Sequence, residues 1–397
     1  MTRIVSELTD RGHEVHVVTS LPWYRDHRIE PGWGGRLVRR ETTHWGSITR
    51  VHPFPGGDKS NLVRRAVGFG AYSVLAGMQG LRVGGWGRRA EAVIAMSPPL
   101  TLGPTGWLVA RLRRAPLVFN IQDVFPDAAI ETGAITNRWV IAAASWLERL
   151  SYRAANAVTV LSDDLRDNVV AKLPPSAAER VHVIPNFVDT DAIVPLDRAT
   201  PYRRELGLGD GPVVLYAGNV GFSQSLDLVV AAARALPDTV FLVNGDGAAR
   251  SALEASARDV PNLHVAGYIE PPRLAELLAT GDIHVVPLRA GLGRVSVPSK
   301  TYSIMAAARP VVAAIDRDTA VPRMLQASGG GIAVPPDDPA AFVDALRRLL
   351  ADPVAGRRMG EAGRAWVVRE ASPAAVGAAY HDLLRGLTGG GPDPSTR

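Results

Sequence analysis

The chain of 397 residues contains no cysteine, and only Lys59, Lys172 and Lys300 among its 44 basic residues are lysine. The first absence excludes disulfides, cysteine-based metal sites and a thiolate nucleophile, and it fits a reducing cytoplasm. The second reads as a codon bias towards arginine and makes each lysine worth locating. No signal-peptide pattern is visible, so the expected location is cytoplasmic. Fifteen uncharged residues, Ala66 to Gly80, lie between Arg64-Arg65 and Arg82. That stretch is too short to cross a bilayer; it reads either as an interfacial segment or as an ordinary buried helix with arginine at its ends.

What is present is the composition of a globular α/β protein, 46% hydrophobic and 21% charged, with length enough for two domains. The net charge of +5 is uneven. Through Val118 there are 17 Arg/Lys against 8 Asp/Glu, which leaves the remainder acidic. A basic first half suits an anionic partner, and without an RNA-reading signature a membrane surface fits better than nucleic acid.

The first half alternates strand-like segments (Glu14–Thr19, Thr49–His52, Ala92–Ala95, Pro116–Ile121, Ala157–Leu161, Val181–Ile184) with helix-like ones at Pro104–Arg113, Asn137–Ala154 and Leu165–Lys172. After an Asp/Pro/Arg-rich linker over 191–211 the alternation restarts at Val213–Ala217. It continues through Val240–Asn244, Leu263–Ala266, Ile283–Leu288, Val311–Ala314 and Gly331–Val334. Such alternation predicts two doubly wound, largely parallel sheets. The domains expected are 1–190, 212–372, a helix over 373–387 crossing back to the first, and a Gly/Pro-rich disordered tail from 388. Met1–Arg11 reads as the back half of an amphipathic helix stopped by Gly12. A doubly wound sheet usually has a central first strand, worth roughly five hydrogen bonds at ~1 kcal/mol each plus its apolar burial. The expectation is therefore that the natural start lies upstream, the alternative being a helix that simply begins the protein.

Residues 213–235 carry the most chemistry. A strand, Val213 to Ala217, meets the turn Gly218-Asn219-Val220-Gly221, and a helical pattern opens at Leu226. Such a turn aims backbone N–H groups and a helix dipole at one point, as a phosphate needs. It is equally the form of plain scaffold.

The chain resembles the family 4 glycosyltransferases of the GT-B fold, near the colanic-acid and L-fucosamine-type bacterial polysaccharide transferases. The runs that carry this are Asp10–Ser20, Val118–Ile130, Val158–Val170, Val181–Ile193, LYAGNVGFSQSLDLV, Val243–Ala255, Val297–Ala313 and Gly329–Leu346. The resemblance implies two Rossmann-like domains facing across a cleft, and a retaining transferase that moves a sugar from a nucleotide-sugar, UDP by preference. The acceptor would be a lipid-linked or polysaccharide glycan of the cell envelope, met at the cytoplasmic membrane surface. No metal is expected, and Asp189-Thr190-Asp191 and Asp316-Arg317-Asp318 read as turns.

By the same resemblance Gly218, Asn219, Gly221 and Gln224 would meet the diphosphate. Relatives often place a cation just after this turn, where Phe222, Ser223 and Gln224 stand here, so Lys300 is the natural replacement. Ser299 is expected to cap the helix that follows. The positions of two family glutamates hold Val295 and Ser303, the latter able to meet the donor ribose only as a hydroxyl. Tyr268 and Ile269 match the loop that reads the base, or are a simple strand end. Asp123, with Gln122, matches a catalytic or orienting position, or caps the next segment. Gly245-Asp246-Gly247 serves backbone geometry. A sugar-nucleotide epimerase, and a degenerate relative that binds without catalysis, stay open as alternatives.

Overall fold

The computed structural model describes residues 2–23, 28–55, 62–127, 130, 135–294 and 297–389. The chain divides into two compact units, Met1–Ile184 with Gly377–Arg397, and Pro185–Val376. The first holds α1 (Thr2–Asp10), β1 (Val15–Ser20), β2 (Val38–Thr43), β3 (Gly46–Val51), α2 (Leu62–Gly80), β4 (Val93–Ser97), α3 (Leu102–Leu112), β5 (Leu117–Ile121), α4 (Arg138–Ala154), β6 (Ala157–Val160), α5 (Asp163–Ala171) and β7 (Val181–Val183). Helix α1 stops at Gly12, whose φ of +89° costs a glycine nothing.

Strands β4-β5-β6-β7 form a parallel sheet in chain order, and β5 is buried at every position, as a strand covered on both faces must be. A second sheet runs β1-β3-β2, with β3 parallel to β1 and antiparallel to β2. Sequence alternation overlooks β2, because Val-Arg-Arg-Glu-Thr-Thr is an edge strand with no apolar period. Gly46 closes this hairpin against β1, where a Cβ would sit 2.0 Å from the Val15 carbonyl.

The second unit holds α6 (Pro201–Glu205), β8 (Val213–Ala217), α7 (Asp227–Ala235), β9 (Val240–Asn244), α8 (Arg250–Ala257), β10 (Leu263–Ala266), α9 (Leu274–Thr280), β11 (Ile283–Pro287), α10 (Lys300–Ala306), β12 (Val311–Ala314), α11 (Ala320–Ser328), β13 (Gly331–Val334), α12 (Pro339–Ala351) and α13 (Pro353–Glu370). Its six parallel strands run β10-β9-β8-β11-β12-β13. From β8 the chain winds outward to β10, then returns to lay β11 on the other side of β8. The carboxyl ends of β8 and β11 therefore flank a topological switch point, where open α/β sheets leave a crevice for ligands.

The segment expected as a linker is anchored in this unit. Thr200 caps α6, and Arg203 donates to the carbonyls of Gly209 and Thr280, at 2.8 and 3.2 Å, beside Asp282. The last helix, α14 (Pro373–Thr388), belongs to the first unit from Gly377 onward. There it lies so close to α1 that a Cβ on Gly377 would meet the Glu7 Cβ at 2.5 Å.

Candidate functional site

Three loops leave the carboxyl ends of β8, β9 and β10 and interlock. Gly218 extends the ladder, its N–H donating to the Asn244 carbonyl at 2.9 Å, and its φ of +139° turns the chain sharply. Val220 donates to the Asp246 carbonyl. The β9 loop packs so tightly on this turn that a Cβ on Gly245 would lie 1.8 Å from the Gly218 carbonyl oxygen, so its glycine serves close backbone approach. Gly221 N–H donates to Gln224 Oε1 at 3.1 Å. The amides of Gly218 and Gly221, expected to meet a diphosphate, both have partners within the protein. At Gly221 the partner is the side-chain oxygen of Gln224 rather than a backbone carbonyl.

Lys300 opens α10 and points back at this turn. Its Nζ lies 3.9 Å from the centre of the Tyr216 ring and donates to Tyr216 Oη at 2.7 Å. Tyr216 Oη in turn donates to the Asn219 carbonyl at 2.5 Å. A Cβ on Gly218 would stand 3.0 Å from the same Nζ, so the glycine leaves the ammonium room. Burial pushes the Lys300 ammonium down to about 7, and no carboxylate among the described residues pairs with it. A desolvated cation with no carboxylate partner among the described residues favours an anion as its neighbour.

One further sequence candidate departs from expectation in its local contacts. Ser299 precedes α10 but forms no side-chain cap, because its backbone is already helical (φ −60°, ψ −23°) and capping needs an extended residue. Ile269 is turned inward, packed against the cluster of Tyr202, Leu208 and Leu277. Tyr268 is exposed and donates to the Asp246 carbonyl at 3.0 Å, tying the β10 loop to the β9 loop. Ser303 is half-buried one turn along α10 from Lys300, and Val295 lies outside the described residues. The Asp-x-Asp pairs are occupied as turns: Asp189 Oδ1 accepts from the amides of Asp191 and Ala192, and Asp316 from those of Gly291 and Gly293.

Sequence reasoning found no cation just after the turn, yet the fold supplies one from across the switch point. Arg289 follows β11; its Nε donates to the Phe222 carbonyl at 2.7 Å and its N–H to that of Ser223. No local pattern signals this, because the contact depends on β11 returning beside β8.

In the first unit Gln122 and Asp123 follow β5. Gln122 Nε2 donates to Asn120 Oδ1 at 2.5 Å, while Asn120 Nδ2 donates to Thr159 Oγ1 and Tyr380 Oη. Gln122 is therefore positioned through a fully buried asparagine held by α14. Asp123 is accessible, yet desolvation by the surrounding loop pushes its carboxyl above the usual range. Just beyond stands a cluster that the sequence did not signal. Lys172 Nζ bridges Asp127 at 2.8 Å and the buried Glu148 at 2.7 Å, and Tyr152 donates to the same glutamate at 2.9 Å. This ion bridge pins the loop after Asp123 to α4 and α5.

Residues 1–186 match the family model for a glycosyl transferase 4-like domain, and residues 211–352 that for glycosyl transferases group 1. The chain is 26% identical over 370 residues to the putative colanic acid biosynthesis glycosyl transferase WcaI of Escherichia coli K12, covering 87% of this chain and 86% of that one. Sucrose-phosphate synthase from Thermosynechococcus elongatus superimposes with a TM-score of 0.74 at 18% identity, over 98% of this chain and 92% of the synthase. HepE from Anabaena, solved in complex with UDP-glucose, superimposes at 0.64 and 14% identity, over 80% and 82%. With both of its units matched, the chain belongs to the family 4-type glycosyltransferases and is built on their GT-B fold of two Rossmann-like domains.

Proposed function

We propose that this chain is a retaining transferase that moves a sugar from a UDP-sugar to a lipid-linked or polysaccharide acceptor in cell-envelope synthesis, working peripherally at the cytoplasmic face of a membrane. The observation that carries the reading is Lys300, a desolvated ammonium without a carboxylate partner, aimed at a glycine turn. Lys300 neutralises the diphosphate as it leaves, and Gln224 swings aside to yield the Gly221 N–H. Arg289, whose guanidinium pairs with Asp227 at 3.7 Å, lies next to the same turn. Tyr268 and the β10 loop meet the base, and Ser303 the ribose. The UDP-glucose complex of HepE supports uridine as the nucleotide.

In the proposed reaction the bond from the anomeric carbon to the diphosphate oxygen breaks. The acceptor oxygen bonds to that carbon on the same face, and its proton passes to the departing diphosphate. Asp123 and Gln122 orient the acceptor hydroxyl. Charge on the leaving group is assigned to Lys300 rather than to a divalent ion, because the first carboxylate of each Asp-x-Asp pair, Asp189 and Asp316, is taken up by backbone amides.

The test is transfer of label from a UDP-sugar to membranes, paired with calorimetry of UDP-sugar binding. Transfer that disappears in Asp123→Asn while binding persists supports the assignment. Failure of the intact chain to bind any nucleoside diphosphate overturns it. No helix of the described residues is long and apolar enough to cross a membrane.

A further inference from the structure

Helix α4 is built inside out. Its buried face carries Glu148, Ser151 and Tyr152, whereas Trp139, Ala143, Trp146 and Leu150, at steps of four, three and four, share the solvent face. Trp139 is 71% exposed and Trp146 62%. A helix that met only water would put these groups the other way round, since tryptophan is among the most buried side chains on average. Arg149 and Arg153 flank the stripe, and the Arg138 guanidinium lies 5.0 Å over the Trp139 ring.

The next two helices of the layer repeat the pattern. Helix α3, which contacts both α4 and α2, exposes Trp107, Leu108 and Leu112 around Arg111. Helix α2 exposes Val67, Val74 and Met78, at steps of seven and four along one stripe. Its exit loop carries Trp86, 74% exposed, with the Arg82 guanidinium 6.0 Å from the ring. Three neighbouring helices thus turn apolar stripes away from the sheets they cover.

The charge on this layer has one sign. From residue 62 to 122 the chain has eight arginines, of which Arg113 is buried against backbone carbonyls, and a single acid, Glu91. The one acid of α4, Glu148, is buried and bonded to Lys172. We infer that the outer face of α2, α3 and α4 is the surface by which the protein docks on an anionic phospholipid bilayer, its tryptophans and aliphatic side chains entering the headgroup boundary and its arginines meeting the lipid phosphates. Tryptophan and arginine together suit that boundary, where one end of a group is apolar and the other wet. A second copy is the poorer occupant, because a two-fold interface would set arginine against arginine. Nucleic acid would leave the valine, leucine and methionine stripes unburied.

The inference rests on the proposed function in one respect, that the acceptor is met at a membrane. The test is sedimentation of the whole chain with vesicles of phosphatidylcholine alone and of phosphatidylcholine with equimolar phosphatidylglycerol. Binding should require the anionic lipid and weaken with salt, and each arginine replaced at the face should cost about fivefold in partitioning. Trp139→Ser with Trp146→Ser should lower partitioning by about tenfold or more. Brominated lipid should quench tryptophan fluorescence in the parent and less in that variant. These side chains are exposed, so unchanged melting and unchanged UDP-sugar binding certify the fold of the variants.

Equal vesicle binding by parent and variants overturns the inference, as does self-association through this face without lipid binding. If vesicles bind but nucleotide and transfer fail, the transferase reading falls and the docking face stands. If UDP-sugar binds and a soluble acceptor is glycosylated while vesicles are ignored, only the docking face falls.

Discussion

Raising the pH from 6.5 to 8.5 should weaken UDP-sugar binding by about twenty-five-fold through Lys300 alone. The figure follows from an ammonium pushed down to about 7 by burial against the Tyr216 ring, with no carboxylate among the described residues to hold its proton. At pH 6.5 about three-quarters of the molecules carry the charge; at pH 8.5 about one in thirty does, and only the charged form rewards a diphosphate. A bound anion lifts the pKa again, so binding at pH 8 should take up about 0.9 of a proton per site. Titration calorimetry in two buffers of different ionisation enthalpy reads that uptake directly. A sugar ester of UDP is the right probe, because its diphosphate does not titrate in this range. The sign for stability is opposite. The unfolded chain holds the Lys300 proton up to its ordinary value near 10.5, the folded chain only to about 7, so this group makes the unliganded protein more stable as pH rises between them. Lys300→Arg should flatten the affinity profile by keeping its charge, and Lys300→Met should flatten it at low affinity. An intact protein whose affinity ignores pH, or a Lys300→Met variant with the parent's slope, refutes the reasoning.

Three other outcomes follow from the same geometry. Lys172→Met leaves the buried Glu148 without its cation and should cost about 3–5 kcal/mol in urea denaturation at neutral pH. Glu148 is already pushed up by desolvation, so a folded-state proton is held above its unfolded value, and the loss should shrink as pH falls and the carboxyl protonates. Gly221→Val would bring a Cβ within 2.6 Å of Asn219 Nδ2 and 3.0 Å of Gln224 Oε1; calorimetry should show at least about tenfold weaker UDP-sugar binding, whereas Gln224→Ala, which frees the Gly221 amide, should not weaken it. Tyr380→Phe removes the hydroxyl that accepts from Asn120 and should cost about 1 kcal/mol in melting, with a lower kcat and an unchanged KM for the UDP-sugar as Gln122 loses its support.

What the sequence made legible follows the range of the interactions involved. Val213–Ala217, Val240–Asn244 and Val311–Ala314 are strands over the residues read from the pattern, because a strand buried on both faces advertises itself as an unbroken apolar run, and the half-buried edge strands Leu263–Ala266 and Gly331–Val334 keep enough apolar residues to be read over the same bounds. β2 is invisible to the same logic, since an edge strand that pairs on one side can afford arginine and glutamate. The turn at Gly218 and the cation at Lys300 were legible as types of residue in a known order. Their connection through the Tyr216 hydroxyl was not, because it spans 84 residues and exists only when β11 returns beside β8. Ser299 shows the complementary error: a serine before a helix suggests a cap, but capping is decided by the backbone angle, and that of Ser299 is already helical. The tryptophans of α4 mark the limit of periodicity as a guide. Trp139, Trp146 and Leu150 give a clear helical stripe, and a stripe is ordinarily taken for a core; only when Glu148 and Ser151 prove to be the buried side does the stripe become a surface. Period reports that a helix has two faces, and the neighbours it packs against decide which one meets the solvent.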